Sequence, residues 1–122
     1  MVDEELEAIL NNVKSAKLQE AAAVKERLLL ARAKAPELAA ILRDDFGASS
    51  VWLVGSAAHG QHFRLQSDID LAVEGLLNEL TIPATVKLEK EAEPFPHVDL
   101  IRIEDCDDHA RGRVLREALQ LV

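Results

Sequence analysis

A chain of 122 residues with 48% hydrophobic, 30% charged and 3% aromatic residues is long enough for one domain with a real core, and is not composed like a disordered segment. Its formal net charge of −8 speaks against a reader of nucleic acid, whose binding draws on Lys and Arg, and no apolar run is long enough to span a bilayer. The single cysteine, Cys106, cannot form an internal disulfide, and the acidic N-terminus lacks the basic and apolar regions of a signal peptide, so the expectation is a cytoplasmic protein.

Residues 3 to 46 read as helix. Leu6, Ile9, Leu10 and Val13, then Val24, Leu28 and Ala31, recur at helical spacing in an Ala-, Glu-, Lys- and Leu-rich background. Pro36 is expected to open a second helix, Pro36 to Phe46, with Leu38, Ile41, Leu42 and Phe46 inward and Gly47 as its stop. Asn11-Asn12 is the weakest point of the first.

Val51 to Val54 then reads as a short buried strand ending at Gly55. Asp68 to Val73 is a second strand and His97 to Ile103 a third. Between them, Pro83 to Ala92 fits a helix, although Thr85-Val86-Lys87-Leu88 also suits a strand. Asp107 or Asp108 can cap a last helix, His109 to Leu121, with Val114, Leu115, Ala118 and Leu119 as its apolar face. Early helices followed by strands and helices predict an α+β protein, a small mixed sheet flanked by helices.

The stretch VWLVGSAAHGQHFRLQSDIDLAV, residues 51 to 73, carries the chemistry. In a strand the side chains alternate, so Asp68 and Asp70 share one face while Ile69 and Leu71 face the core. Asp is a poor strand former, and two of them in an apolar strand carry a local cost that points to a site. About 7 Å apart along the backbone, their carboxylates can serve metal ions spaced ~3.5–4 Å, as in two-metal phosphoryl transfer. Asp99, inside HVDLIRI, can add a third carboxylate from a neighbouring strand. A glycine at the end of the first strand lets backbone approach a ligand, and the amides of Ser56 and Ala57 can face phosphate oxygens.

The combination of GSAAHG, SDIDLAV and a later single Asp in an apolar strand resembles the nucleotidyltransferase superfamily that includes DNA polymerase β and kanamycin nucleotidyltransferase. It is most similar to the minimal nucleotidyltransferases (MNT), single-domain prokaryotic proteins encoded beside HEPN-domain toxins. The resemblance covers residues 36 to 122 and leaves 1 to 35 as an N-terminal helical extension. It implies that Gly55 and Ser56 bind the triphosphate, that Asp68 and Asp70 hold magnesium, and that Asp99 binds one ion and helps deprotonate the attacking hydroxyl. It further implies ATP as substrate, a tyrosine of the HEPN toxin as AMP acceptor, and a role as antitoxin. One departure is His59, where many members carry arginine, a firmer phosphate ligand.

Two other readings stand beside this one: a module that neutralises its partner by contact alone, and a transferase acting on a small molecule. The long N-terminal helix suits either a docking role or packing on its own core or on a symmetry mate, so a homo-oligomer stays open. His62, His97 and His109 do not fall at zinc-ligand spacing with Cys106. Arg111, Arg113 and Arg116 read as a solvated helix face that could also meet a nucleotide.

Overall fold

The computed structural model describes residues 3–122. Its order is α1 (Glu4–Phe46), β1 (Ser50–Val54), α2 (Ser56–His59), β2 (Ile69–Glu74), α3 (Thr81–Glu91), β3 (Val98–Arg102), α4 (Asp108–Val114) and β4 (Leu119–Gln120), with two short 3-10 turns. The four strands form one mixed sheet in the order β3-β2-β1-β4. β1 runs antiparallel to both its neighbours, and β2 and β3 are parallel. The α+β expectation matches this architecture. No helix among the described residues is long and apolar enough to cross a membrane.

α1 is a single helix of 43 residues, about 65 Å long at 1.5 Å per residue. Asp3 caps it, accepting a hydrogen bond from the Glu5 amide at 3.0 Å, and Gly47 in the left-handed conformation ends it. The expected break at Pro36 does not occur. Proline forfeits one bond, to the Arg32 carbonyl, but Ala31, Ala35, Leu38, Ala39 and Leu42 around it are all buried, and their packing holds the helix straight through. Asn11-Asn12 does not break it either.

The sheet has two unlike faces. Val51 and Leu53 of β1, Ile69, Leu71 and Val73 of β2, and Val98 of β3 join α1, α3 and Phe95 in the main core. On the other face Val54, Ala72 and Ile103 form a smaller cluster, topped by Trp52, Ile101, Val114 at the end of α4 and Leu115 just after it. The undecided segment before Pro94 is helical. Pro83 sits in the first turn of α3, where a missing N–H costs nothing, and Ala84 and Leu88 are buried.

The last helix is shorter than the sequence suggests. The Asp107 carboxylate caps it on the Ala110 amide at 2.7 Å, but it stops at Val114 rather than Leu121. Glu117 then takes a positive φ of 57°, which turns the chain, and Leu119–Gln120 adds an edge strand opposite Leu53 and Trp52. The apolar spacing of Val114, Leu115 and Ala118 does serve one face, the smaller cluster, whereas Leu121 packs on the main core.

Candidate active site

The register of the sheet builds the site. Val54, Asp70 and Asp99 stand side by side in one row across β1, β2 and β3. Because the inward positions of β2 alternate with them, Asp70 faces the smaller cluster while Ile69 and Leu71 go to the core. Asp68 lies one residue before β2 begins, so it belongs to the entry of the strand rather than to the strand itself.

Gly55 follows Val54 with φ +70°, a conformation open to glycine. A methyl group there would lie 2.7 Å from Oδ2 of Asp70. The end of β1 and the acidic row therefore touch. Ser56 opens the short α2, whose carbonyls of Ala57 and Ala58 accept hydrogen bonds from Arg32 at 2.8 and 3.0 Å. The fold brings Gly55, Asp70 and Asp99 into one place, with Ser56 and Asp68 directly adjoining along the chain.

The electrostatics of this place are unfavourable as it stands. Asp70 is pushed up from 3.8 to about 6, first by burial, then by its side-chain hydrogen bond to Asp99 and by the charges of Asp99 and Asp68. Asp68 has Arg27 3.8 Å from Oδ1, yet that oxygen is buried and lacks a hydrogen bond. Buried carboxylate oxygens without partners cost free energy, and a cation would relieve both groups.

No three His, Cys, Asp or Glu side chains among the described residues converge into a ready-made metal cage. Magnesium is commonly held by one or two carboxylates and completes its shell with water and substrate phosphates, and the pair that the register sets side by side is Asp70 and Asp99. The donor set is all oxygen, and hard cations take oxygen.

Beside the acidic row opens a cavity of about 500 Å³. Of the five expected site residues, Gly55 and Asp70 line it; the other walls come from His59, His62 and the α4 end, including Arg113 and Arg116. The His59 ring accepts the Gln61 amide at Nδ1, 3.0 Å away, which places the proton of the neutral ring on Nε2. The lining thus carries both signs of charge, Arg113 and Arg116 with Asp70 and Glu117. Arg113, near the end of α4, and Arg116, just beyond it, read in the sequence as a solvated helix face that could also meet a nucleotide; both line the cavity.

Three further residues, Arg27, Arg32 and Glu89, escaped the sequence reading. Arg27 of α1 donates to the Ser67 carbonyl through Nε (3.0 Å) and Nη2 (2.8 Å), and its guanidinium lies 4.4 Å from the Phe95 ring centroid. With Arg32 on α2, it ties both site loops to the long helix. The one available signal was two arginines bordering the apolar stripe of Val24, Leu28, Ala31 and Ala35. On α3, Glu89 accepts the Val98 amide at 3.2 Å and so fixes the start of β3, one residue before Asp99.

The family model for the nucleotidyltransferase domain matches residues 35–119, most of the chain. The chain belongs to the nucleotidyltransferase family. No curated protein sequence matches it. Among solved structures, a toxin–antitoxin complex with AMP-PNP aligns with TM-score 0.57 and 28% identity, over 68% of each chain. A mutant of the toxin–antitoxin pair MntA–HpeT aligns with TM-score 0.58 and 24% identity, over 70% of each chain. The MNT antitoxin in complex with the tri-AMPylated HEPN toxin of Shewanella oneidensis gives 0.57 and 22%, over 75% of this chain and 71% of that one. The nucleotidyltransferase fold and the resemblance to MNT antitoxins, expected from GSAAHG and SDIDLAV, agree with these matches.

Proposed function

We propose that this chain transfers AMP from ATP to a hydroxyl of a partner protein, a tyrosine of a HEPN-type toxin, and acts as the antitoxin of that toxin. The observation that carries the reading is the row of Asp70 and Asp99 in adjacent strands, with Gly55 packed on Asp70 and Asp68 next to it. Family membership supplies the reaction class, and the similar structure solved with AMP-PNP supports an adenine nucleotide. The acceptor follows the MNT–HEPN pair in which the toxin is tri-AMPylated.

In this reading Asp68, Asp70 and Asp99 would hold magnesium, which when bound with ATP supplies charge neutralisation at the phosphates and acidifies the acceptor hydroxyl. The protein's own groups position and screen. The backbone at Gly55 and Ser56 takes the triphosphate, because a glycine lets it come close and the amides beyond it are donors. Arg113 and Arg116 bring positive charge to the cavity wall, where His59 supplies only an Nε2 donor. Asp99, exposed at the sheet edge, is the carboxylate placed to take the proton of an arriving hydroxyl. Catalysis of this kind is positioning and charge stabilisation, and a small chain can supply both.

Incubation with α-labelled ATP, magnesium and the HEPN-type product of the neighbouring gene tests the proposal. Label on a tyrosine of that product, absent with Asp70→Asn, is expected. Label on no protein with any nucleoside triphosphate would sink it.

A further inference from the structure

Residues 4–23 of α1 belong to neither apolar cluster. Every one is exposed, and Leu6, Ile9, Leu10 and Val13 stand 46 to 57% open to solvent. These four continue the helical stripe that becomes Val24, Leu28, Ala31 and Ala35 on the core side. A helix of this length gains little stability without tertiary packing, so an apolar stripe left unpartnered on it asks for an occupant.

We propose that the occupant is a second copy of this chain, paired antiparallel through the N-terminal half of α1 about a two-fold axis between Ile9 and Leu10. A two-fold interface is self-complementary: whatever lies at one position must suit the position that mirrors it. Around that midpoint Leu6 mirrors Val13, Ile9 mirrors Leu10, and Glu5 mirrors Lys14. Glu4 falls opposite Ser15, Glu7 opposite Asn12 and Asp3 opposite Ala16, so no like charges meet. A parallel pairing would instead stack Asp3, Glu4, Glu5 and Glu7 on their own copies, a repulsive arrangement.

A second observation meets the first at the right distance. The same stripe continues through Lys17, Ala21 and Val24, which with Phe63 and Arg64 line an open groove of about 640 Å³. In the antiparallel register residue 3 of the partner copy comes level with residue 16, at the mouth of this groove. Its Asp3 cap, one residue short of Lys17, then brings negative charge to a groove whose lining holds Lys17 and Arg64 against the single acid Glu20. Apolar stripe and groove become one surface, used twice. The paired segment is about 20 Å long, smaller than a standard permanent interface, so the association is expected to be reversible and micromolar. It is independent of the reaction proposed above.

Sedimentation velocity of the full chain over a concentration series tests it. The wild type is expected to pass from monomer to dimer as its concentration rises. The Ile9→Glu/Leu10→Glu chain is expected to stay monomeric with an unchanged melting temperature, because neither side chain touches the core. For the register, in a Cys106→Ser background, a mixture of Leu6→Cys and Val13→Cys chains should cross-link under mild oxidation while Leu6→Cys alone should not. A monomer at every concentration overturns the proposal and assigns the stripe to a different protein. Self-linking of Leu6→Cys, or a dimer that survives Ile9→Glu/Leu10→Glu, overturns the antiparallel pairing.

Discussion

The two faces of one sheet do different work, and β2 shows the contrast residue by residue. Ile69, Leu71 and Val73 are fully buried against α1 and α3, where each neighbour is apolar. Asp70, one residue away on the opposite face, is only partly covered and crowded by two other carboxylates. The first face is satisfied as it stands. The second carries an uncompensated cost, concentrated where Gly55, Asp70 and the cavity meet. Local conflict of this kind, set on a well-packed support, is what a binding site looks like before its ligand arrives.

The sharpest way to separate the faces is to neutralise the conflict. Asp70→Asn should lower nucleotidyl transfer roughly a thousandfold or more, since the proposed magnesium site would lose a ligand. The same change should make the metal-free protein more stable above pH 6, by a few °C in melting temperature for a gain of roughly 1 kcal/mol. The sign follows from titration: Asp70 titrates near 6 in the fold and near 3.8 when free. Between those values the folded state binds the extra proton, so stability falls as pH rises through the window, and ionisation above it penalises the fold. Melting curves from pH 4 to 7 should slope downward for the wild type and flatten in Asp70→Asn. A variant that melts lower than the wild type at pH 7 would contradict the repulsive picture.

Leu71→Ala, one residue further, should do the reverse. Removing a fully buried leucine from the main core costs about 2–5 kcal/mol, seen as a lower denaturation midpoint. The activity of the protein that stays folded should change little. Should transfer collapse at temperatures where the variant is still folded, the two faces are more tightly coupled than their packing suggests.

Gly55→Ala joins the two effects. It strains a backbone at φ +70° and forces Asp70 aside, for a cost of roughly 1–3 kcal/mol. A tenfold or larger loss of transfer should accompany it, and Ser56→Ala should be milder on both counts. Smallest is the cavity wall. Arg113→Ala or Arg116→Ala should weaken ATP binding by about tenfold, near 1.4 kcal/mol, without changing the response of melting temperature to magnesium. Isothermal titration with AMP-PNP would measure it.

Much of this contrast could be read in the sequence. Alternation alone placed Ile69 and Leu71 inward and Asp70 outward, and a glycine at a strand end marked a close backbone approach to a ligand, whereas its contact with Asp70 needed the fold. The helical span of α1 and the positions of β1 and β3 followed from periodicity, and the cap of the last helix was narrowed to Asp107 or Asp108 by chemistry, with the fold using Asp107. What escaped depended on tertiary context. Pro36 reads locally as a helix start, but buried alanines on both sides of it outweigh one lost hydrogen bond. Val114 to Leu119 has helical spacing, yet β1 offers an unpaired edge and the chain turns at Glu117 to use it. Arg27, Arg32 and Arg116 gain meaning only from the loops and cavity they reach, and those are set by segments far away in the chain.

The central claim is that the acidic row is a joint site for a divalent ion and a nucleotide, and calorimetric titration of AMP-PNP with and without magnesium tests it most directly. The account predicts saturable binding by the wild type only when magnesium is present, and none by a folded Asp68→Asn/Asp70→Asn chain. Equal affinity in the two proteins, or binding indifferent to magnesium, would contradict it.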